Sequence, residues 1–152
     1  VVMLSRHYVA TPLLPLVRCY APRARVVFDT VDLHYLREER AALIEGKPEL
    51  RRTANTTKLA ELRLIKACDV TLVVSPVEQA LLRTEVPSAR IEVLSNVHEV
   101  VGCRRSFSER RDLFFIGGFQ HEPNIDAVQW FVADIWPLIA ERLKLIEPCL
   151  SG

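Results

Sequence analysis

The chain has 152 residues, 49% of them hydrophobic and 26% charged, with 20 Lys plus Arg against 19 Asp plus Glu and a formal net charge of +1. These are the proportions of an ordinary globular domain, and they exclude a disordered tail, a collagen-like rod and a disulfide-dense toxin. The balanced charge gives no argument for nucleic acid or an anionic surface as a partner, and no apolar run approaches the roughly 20 residues of a membrane helix.

Val1-Val2-Met3-Leu4-Ser5 reads as a buried strand already under way, without the basic region and cleavage site of a signal peptide. His7 to Tyr20 reads as a helix that Pro12 and Pro15 should break or bend. Arg25 to Thr30 is a short β-rich run ending in polar residues. Leu33 to Glu45 is helical in composition and stops at Gly46-Lys47-Pro48. A further helix follows from about Glu49 to Ala67, with Leu59, Leu62 and Ile65 recurring once per turn as its apolar face. Val70 to Val74 is continuous and β-branched, the pattern of a parallel strand covered on both faces. Ser75-Pro76-Val77-Glu78 predicts a helix start, with Ser75 as N-cap, Pro76 at the first helical position and Glu78 completing a capping box. That helix stops before Pro87, and Arg90 to Asn96 predicts another strand.

The texture then changes. Val97 to Arg111, with Gly102 and the pairs Arg104-Arg105 and Arg110-Arg111, reads as an irregular linker. Asp112 to Ile116 predicts a fresh strand, Gly117-Gly118-Phe119 a glycine turn, and Asn124 an N-cap. The helix beyond it presents Ile125, Val128, Val132, Ile135, Trp136 and Ile139 on one face, with Pro137 bending or restarting it. That face is wide enough for Trp130 and Trp136 to read as core. Alternating strands and helices specify a parallel sheet with crossover helices, the doubly wound, Rossmann-like α/β class. The boundaries fall at 1–97 for a first domain, 98–111 for a linker and 112–152 for the start of a second.

Open parallel sheets bind ligands at the carboxyl ends of their strands, and two such ends carry chemistry. In Phe28-Asp29-Thr30-Val31-Asp32-Leu33-His34 a strand delivers carboxylates and an imidazole to its edge. Asp32 beside His34 suits orientation and proton transfer; equally, Asp32 caps the following helix and His34 is an ordinary surface residue. Spacing alone leaves both open. In Phe115-Ile116-Gly117-Gly118-Phe119 two glycines after a strand either let backbone N–H groups approach a phosphate or simply make a tight turn. This is not G-x-G-x-x-G and no Walker lysine follows. His121-Glu122 comes next and falls near the same turn. The cysteines at 19, 68, 103 and 149 form no C-x-x-C pair and read as reduced thiols of a cytosolic protein, and the histidines at 7, 34, 98 and 121 form no ligand pair, so no metal is expected.

Taken in order, these motifs resemble the group 1 (family 4) glycosyltransferases. Phe28 to Glu38 resembles a stretch of their amino-terminal domain. Asp69 to Ser75 with Glu78, and Val93-Leu94-Ser95-Asn96-Val97, are similar to two later strands. Phe114 to Phe119, Pro123-Asn124, Ala127 and Trp130-Phe131 resemble the opening of their second domain. The resemblance implies the GT-B architecture of two Rossmann-like domains, here as a central fragment incomplete at both ends. It implies a cytoplasmic enzyme, peripheral at the inner face of the membrane. Such an enzyme moves a sugar from a nucleotide-sugar donor to a glycan or lipid-linked acceptor with retention of configuration and without a metal or other cofactor. By resemblance, Asp32 and His34 face the cleft as catalytic residues, and Gly117, Gly118 and Phe119 approach the donor diphosphate. The family's glutamate pair with seven residues between is absent from the chain, and the match ends at about Leu143, so the chain alone is expected to turn over little or nothing. A frameshift or premature stop would produce such an ending. A non-catalytic α/β remnant or interaction module, and a sugar-nucleotide epimerase of the same two-domain shape, are the competing readings.

Overall fold

Four short strands, β1 (Val2–Ser5), β2 (Val26–Asp29), β3 (Val70–Val73) and β4 (Ile91–Val93), pair side by side in that order, every pair parallel. The structure is a computed structural model that describes residues 1–99, 102, 106–110, 112–120 and 122–143. It divides into two units, Val1–His98 and Glu99–Gly152, and the sheet belongs to the first.

Helices make every crossover in the sheet. α1 (His7–Tyr20) joins β1 to β2, the pair α2 (His34–Glu45) and α3 (Pro48–Ala67) joins β2 to β3, and α4 (Pro76–Glu85) joins β3 to β4. Consecutive parallel strands linked by right-handed crossovers put every connection on one side of a sheet. The core follows that geometry. Leu4, Val26, Phe28, Val73 and Ile91 from one sheet face join Ala10 and Leu14 of α1, Leu64 and Ile65 of α3, and Leu82 of α4 in one apolar cluster. On the other face Met3, Val27 and Val70 stand in register. Met3 is 56% exposed there, and Val27, Val70 and Leu72 are half-buried. The expectation that β3 is covered on both faces is therefore corrected. The strand order of this unit has no reversal among the described residues, so the double winding is not seen there.

Local chemistry explains the element ends. α2 stops at Gly46, whose φ of 65° is left-handed and whose N–H donates to Ala42 O at 3.0 Å. Ser75 caps α4 as expected, its Oγ accepting the Glu78 N–H at 3.2 Å. The Glu78 carboxylate does not close the capping box; it accepts the N–H groups of Val74 at 3.2 Å and Leu33 at 3.4 Å instead. α1 runs unbroken through Pro12 and Pro15, correcting the expected break. Both prolines sit on the exposed side of the helix. At its far end Arg18 reaches Ala67 O and the Asp69 carboxylate, each at 3.0 Å, while Asp69 accepts the Val26 N–H at 2.7 Å. That carboxylate ties α1 to the starts of β2 and β3. β4 ends at Val93, short of the expected Asn96, and the Leu94 N–H makes a further bond to Val73 O.

The apolar face expected for α3 holds at Ile65, which is buried in the core, and at Leu62, which packs against it, and is corrected at Leu59. Leu59 is 59% exposed, and the inward stripe is Ala54, Thr57, Glu61, Leu64 and Ile65. Two polar residues hold inner positions, and the bonds Glu61 makes there explain its phase.

In the second unit a short 3-10 turn (Phe107–Glu109) precedes α5 (Glu122–Trp130) and α6 (Trp136–Leu143). Residues 112–118 form no strand, contrary to expectation; no neighbouring strand is present among the described residues of this unit for them to pair with. Asn124 lies inside α5 rather than at its cap. A π-turn over Phe131–Ile135 separates the two helices, the Trp136 N–H donating to Phe131 O, and Pro137 follows as the second residue of α6. The expected restart at Pro137 is thus a change of hydrogen-bond ladder just before the residue that lacks an N–H. None of the described residues of this unit is buried, and Trp130, expected in a core, is 58% exposed. Trp136 is half-buried with its ring 6.4 Å from that of Phe131.

Candidate functional site at the carboxyl ends of β1 and β2

The β1–α1 and β2–α2 connections each force a non-glycine residue to positive φ. Arg6 has φ 68° and Val31 has φ 65°. For a β-branched residue this is a strained conformation that persists only where its surroundings impose it. The imposing contacts are visible. Asp29, the last residue of β2, accepts the Val31 N–H on Oδ1 at 3.1 Å and the Ser5 hydroxyl on Oδ2 at 3.1 Å. Its carbonyl accepts the Arg6 N–H at 2.9 Å. Thr30, fully buried, donates both its N–H and its hydroxyl to Leu72 O.

The strained loop delivers Asp32 and His34. His34 is only 6% exposed, so its reading as an ordinary surface residue is corrected. Its Nδ1 lies 3.2 Å from Asp32 O, 3.5 Å from Asp32 Oδ1 and 3.8 Å from Glu61 Oε1. Asp32 does not cap α2 with its side chain; Oδ2 pairs with Arg37 at 3.0 Å. The cap comes from α3. Glu61, 0% exposed, accepts the His34 N–H on Oε1 and the Tyr35 N–H on Oε2, both at 3.1 Å. Burial pushes the Glu61 carboxyl above its ordinary value, and the two N–H bonds oppose that rise.

From the first turn of α1, His7 and Tyr8 complete the group, with ring centroids 5.0 and 6.0 Å from that of His34, both edge-on. Burial and then the neighbouring His34 lower the His7 imidazole below its ordinary value, while Glu38 and Asp32 pull the other way. Glu38 keeps one buried carboxylate oxygen without a hydrogen bond. Behind the site, the fully buried Tyr35 donates its hydroxyl to Glu85 at 3.1 Å, and Lys58 pairs with Glu85 at 2.6 Å while lying over the Tyr35 ring. Burial, followed by Glu85, raises the Tyr35 phenol well above the ordinary tyrosine range. A groove of about 550 Å³ lies at the opposite end of α2 between Ala42, Lys47, Arg51 and Asn55, away from these groups.

The structure brings Asp32 and His34 together and adds Glu61, His7 and Tyr8, which the sequence reading did not select. His7 carried a usable signal, since it follows β1 as Asp32 follows β2. Glu61 carried another, as a carboxylate recurring with Ala54, Thr57, Leu64 and Ile65 on one helical stripe.

Gly117, Gly118 and Phe119 belong to the second unit. A Cβ on Gly117 would meet the Phe115 ring at 2.8 Å and Asn124 Nδ2 at 2.9 Å, so any side chain there would force one of these groups to shift. Gly118 is more open, with Gln120 Oε1 at 3.1 Å, and its carbonyl accepts from Asn124 Nδ2 at 3.0 Å. Phe119 stacks on Phe115 at 6.1 Å. His121, Arg104, Arg105 and Arg111 lie outside the described residues, as do Cys103 and Cys149. Among the described residues no group of three His, Cys, Asp or Glu is arranged to hold a metal ion, and no helix is long and apolar enough to cross a membrane.

The carboxyl edge of the sheet thus carries a buried imidazole, a half-exposed carboxylate beside it and, from the first turn of α1, an aromatic wall. That set can orient a hydroxyl and accept its proton. No protein-family model matches the chain, and no curated protein or solved structure matches it either.

Proposed function

We propose that the chain carries the acceptor-side site and the opening of the donor-side domain of a retaining GT-B glycosyltransferase. It would move a sugar from a nucleotide-sugar donor to a glycan or lipid-linked acceptor. The observation that supports this reading is the placement of His34, 6% exposed, at the carboxyl edge of a parallel sheet with the Asp32 carboxylate 3.5 Å from its Nδ1. Ligands of open α/β sheets bind at that edge.

In this reading His34 and Asp32 take the acceptor hydroxyl, and the His7 and Tyr8 rings give the sugar an apolar wall. The turn at Gly117, Gly118 and Phe119 offers backbone N–H groups to the donor diphosphate, whose charge grows as the glycosidic bond breaks.

The test is a titration of the chain with a panel of nucleoside diphosphate sugars and of simple glycosides, followed by NMR. Glycosides should perturb the His34 and His7 ring protons, and nucleoside diphosphates the Gly118 amide. Silence at both places across the panel at millimolar ligand overturns the reading.

A further inference from the structure

We infer that Glu61 is a positioning residue that holds the His34 imidazole as its Nδ1–H tautomer, leaving the Nε2 lone pair for the hydroxyl of a neutral, sugar-like acceptor. The use to which Nε2 is put rests on the glycosyl-transfer reading; the tautomer does not.

Three oxygens surround Nδ1: Asp32 O at 3.2 Å, Asp32 Oδ1 at 3.5 Å and Glu61 Oε1 at 3.8 Å. A carbonyl oxygen only accepts. Both Glu61 oxygens already accept main-chain N–H bonds, and Asp32 Oδ2 is paired with Arg37. A neutral imidazole placed among acceptors carries its proton on the nitrogen that faces them, so the other nitrogen keeps the lone pair. Nε2 makes no hydrogen bond to any described residue, and the His7 and Tyr8 rings stand edge-on to the imidazole as a whole.

Glu61 outweighs Asp32 in this role for two reasons. Its carboxylate is fully buried, where charge acts through less solvent screening, whereas the Asp32 side chain is 38% exposed and shared with Arg37. Glu61 also holds the His34 main chain, fixing where the ring begins. At 3.8 Å it acts on Nδ1 by charge and placement rather than by a hydrogen bond.

The proton step balances. The acceptor O–H proton passes to Nε2, and the freed oxygen pair forms the new bond to the anomeric carbon. The bond from that carbon to the donor diphosphate breaks with the acceptor arriving on the face the diphosphate leaves, so configuration is retained, and its electron pair leaves with the nucleoside diphosphate. The imidazolium keeps Nδ1–H toward the same oxygens and returns its Nε2 proton to solvent.

Ring nitrogen shifts of His34, measured by long-range proton–nitrogen NMR on the ligand-free chain above the histidine titration, test the assignment. The native ring should be mainly Nδ1–H. Glu61→Gln should move the tautomer ratio toward Nε2–H by about tenfold, while Asp32→Asn should move it by less than about twofold. A native ring that is mainly Nε2–H overturns the inference. So does an unchanged ratio in a Glu61→Gln chain with native amide shifts, or a larger change in Asp32→Asn. If Glu61→Gln fails to fold, Glu61→Asp, which keeps the charge but draws it away from Nδ1, should move the ratio in the same direction by a smaller amount, and an unchanged ratio there overturns the inference. An Nδ1–H ring in a chain that ignores every glycoside keeps the positioning role and removes the transfer reading.

Discussion

Glu61 Oε1 lies 3.1 Å from the main-chain nitrogen of His34, so a carboxylate on α3 caps a helix that begins 27 residues earlier in the chain. Its other oxygen takes the Tyr35 N–H, and the side chain is wholly buried. Helix starts are usually capped by a residue next to them in sequence. Here the neighbour, Leu33, has no side-chain oxygen, and Asp32 is turned toward Arg37. The long-range cap makes the folding of the α2–α3 hairpin and the shape of the site one structural event.

Truncating that cap should be costly. Glu61→Ala strands two buried N–H groups and empties the space the side chain fills, a loss of about 2–4 kcal/mol. Glu61→Gln keeps the volume and one acceptor and should lose about 1–2 kcal/mol. Urea unfolding followed by circular dichroism reads both. A Glu61→Ala chain within about 0.5 kcal/mol of the native one would show that water replaces the cap and that the site does not depend on it.

The same cluster sets a pH response with two opposite signs. His7 is held below its ordinary 6.5, chiefly by burial and then by His34, so between its native value and 6.5 the unfolded chain binds more protons. Its contribution to stability is fully present above pH 6.5 and is lost as pH falls through the lowered native value. Glu61 is held above its ordinary 4.5 by burial, so the folded chain binds more protons there. Its contribution is fully present below pH 4.5 and is lost as pH rises through the raised value. Urea midpoints across these windows should rise with pH near the histidine and fall with pH near the glutamate. His7→Gln should flatten the first slope alone. A native chain with no histidine-window slope would contradict the burial of His7.

How much of this was legible in sequence follows the range of the forces involved. The alternation of β-branched runs with helical segments gave the four-stranded α/β unit, and Ser75 and Gly46 marked helix ends because a cap is a local matter. The phase of α3 was legible from its apolar residues only in part, at Leu62 and Ile65. Leu59 looked inward by hydropathy, yet Glu61 took the inner position because His34 and Tyr35 present N–H groups that only a distant acceptor can reach. For the site, Asp32 and His34 were legible because they follow β2 directly; their geometry depended on Glu61, on the strained Val31 and on a ring contact from His7, none of which local spacing encodes. Asp112 to Ile116 failed as a strand for a related reason, since β propensity needs a partner to act on.

Backbone strain gives a pair of substitutions with opposite signs. Val31 has φ 65°, a conformation that glycine adopts freely and a β-branched residue does not. Val31→Gly should therefore stabilise the chain by about 0.5–1 kcal/mol, the relieved strain exceeding the added chain entropy of glycine. Gly46 has the same φ with open space around it, so Gly46→Ala meets no atoms and still should cost about 1 kcal/mol. Thermal unfolding of both variants reads the difference. If Val31→Gly destabilises, side-chain packing rather than strain governs this loop. In the proposed function the stabilised variant should also bind glycosides less well, because Asp29, Val31 and Asp32 together aim His34.

The two glycines of the second unit separate packing from ligand approach. A methyl group on Gly117 would press on the Phe115 ring at 2.8 Å and on Asn124 Nδ2 at 2.9 Å. Gly117→Ala should displace that ring from its stack with Phe119 and destabilise the turn by about 1–2 kcal/mol. At Gly118 the nearest atom is the end of the flexible Gln120 side chain at 3.1 Å. Gly118→Ala should thus leave stability within about 0.5 kcal/mol of native. If the turn also receives a diphosphate, the added methyl lies where the phosphate must approach, and the Gly118→Ala chain should bind nucleoside diphosphates at least about tenfold more weakly while folding normally. Amide shifts of residues 115–119 with and without nucleoside diphosphate measure both effects at once. Unchanged binding in Gly118→Ala would assign this glycine to the turn alone and move the diphosphate elsewhere.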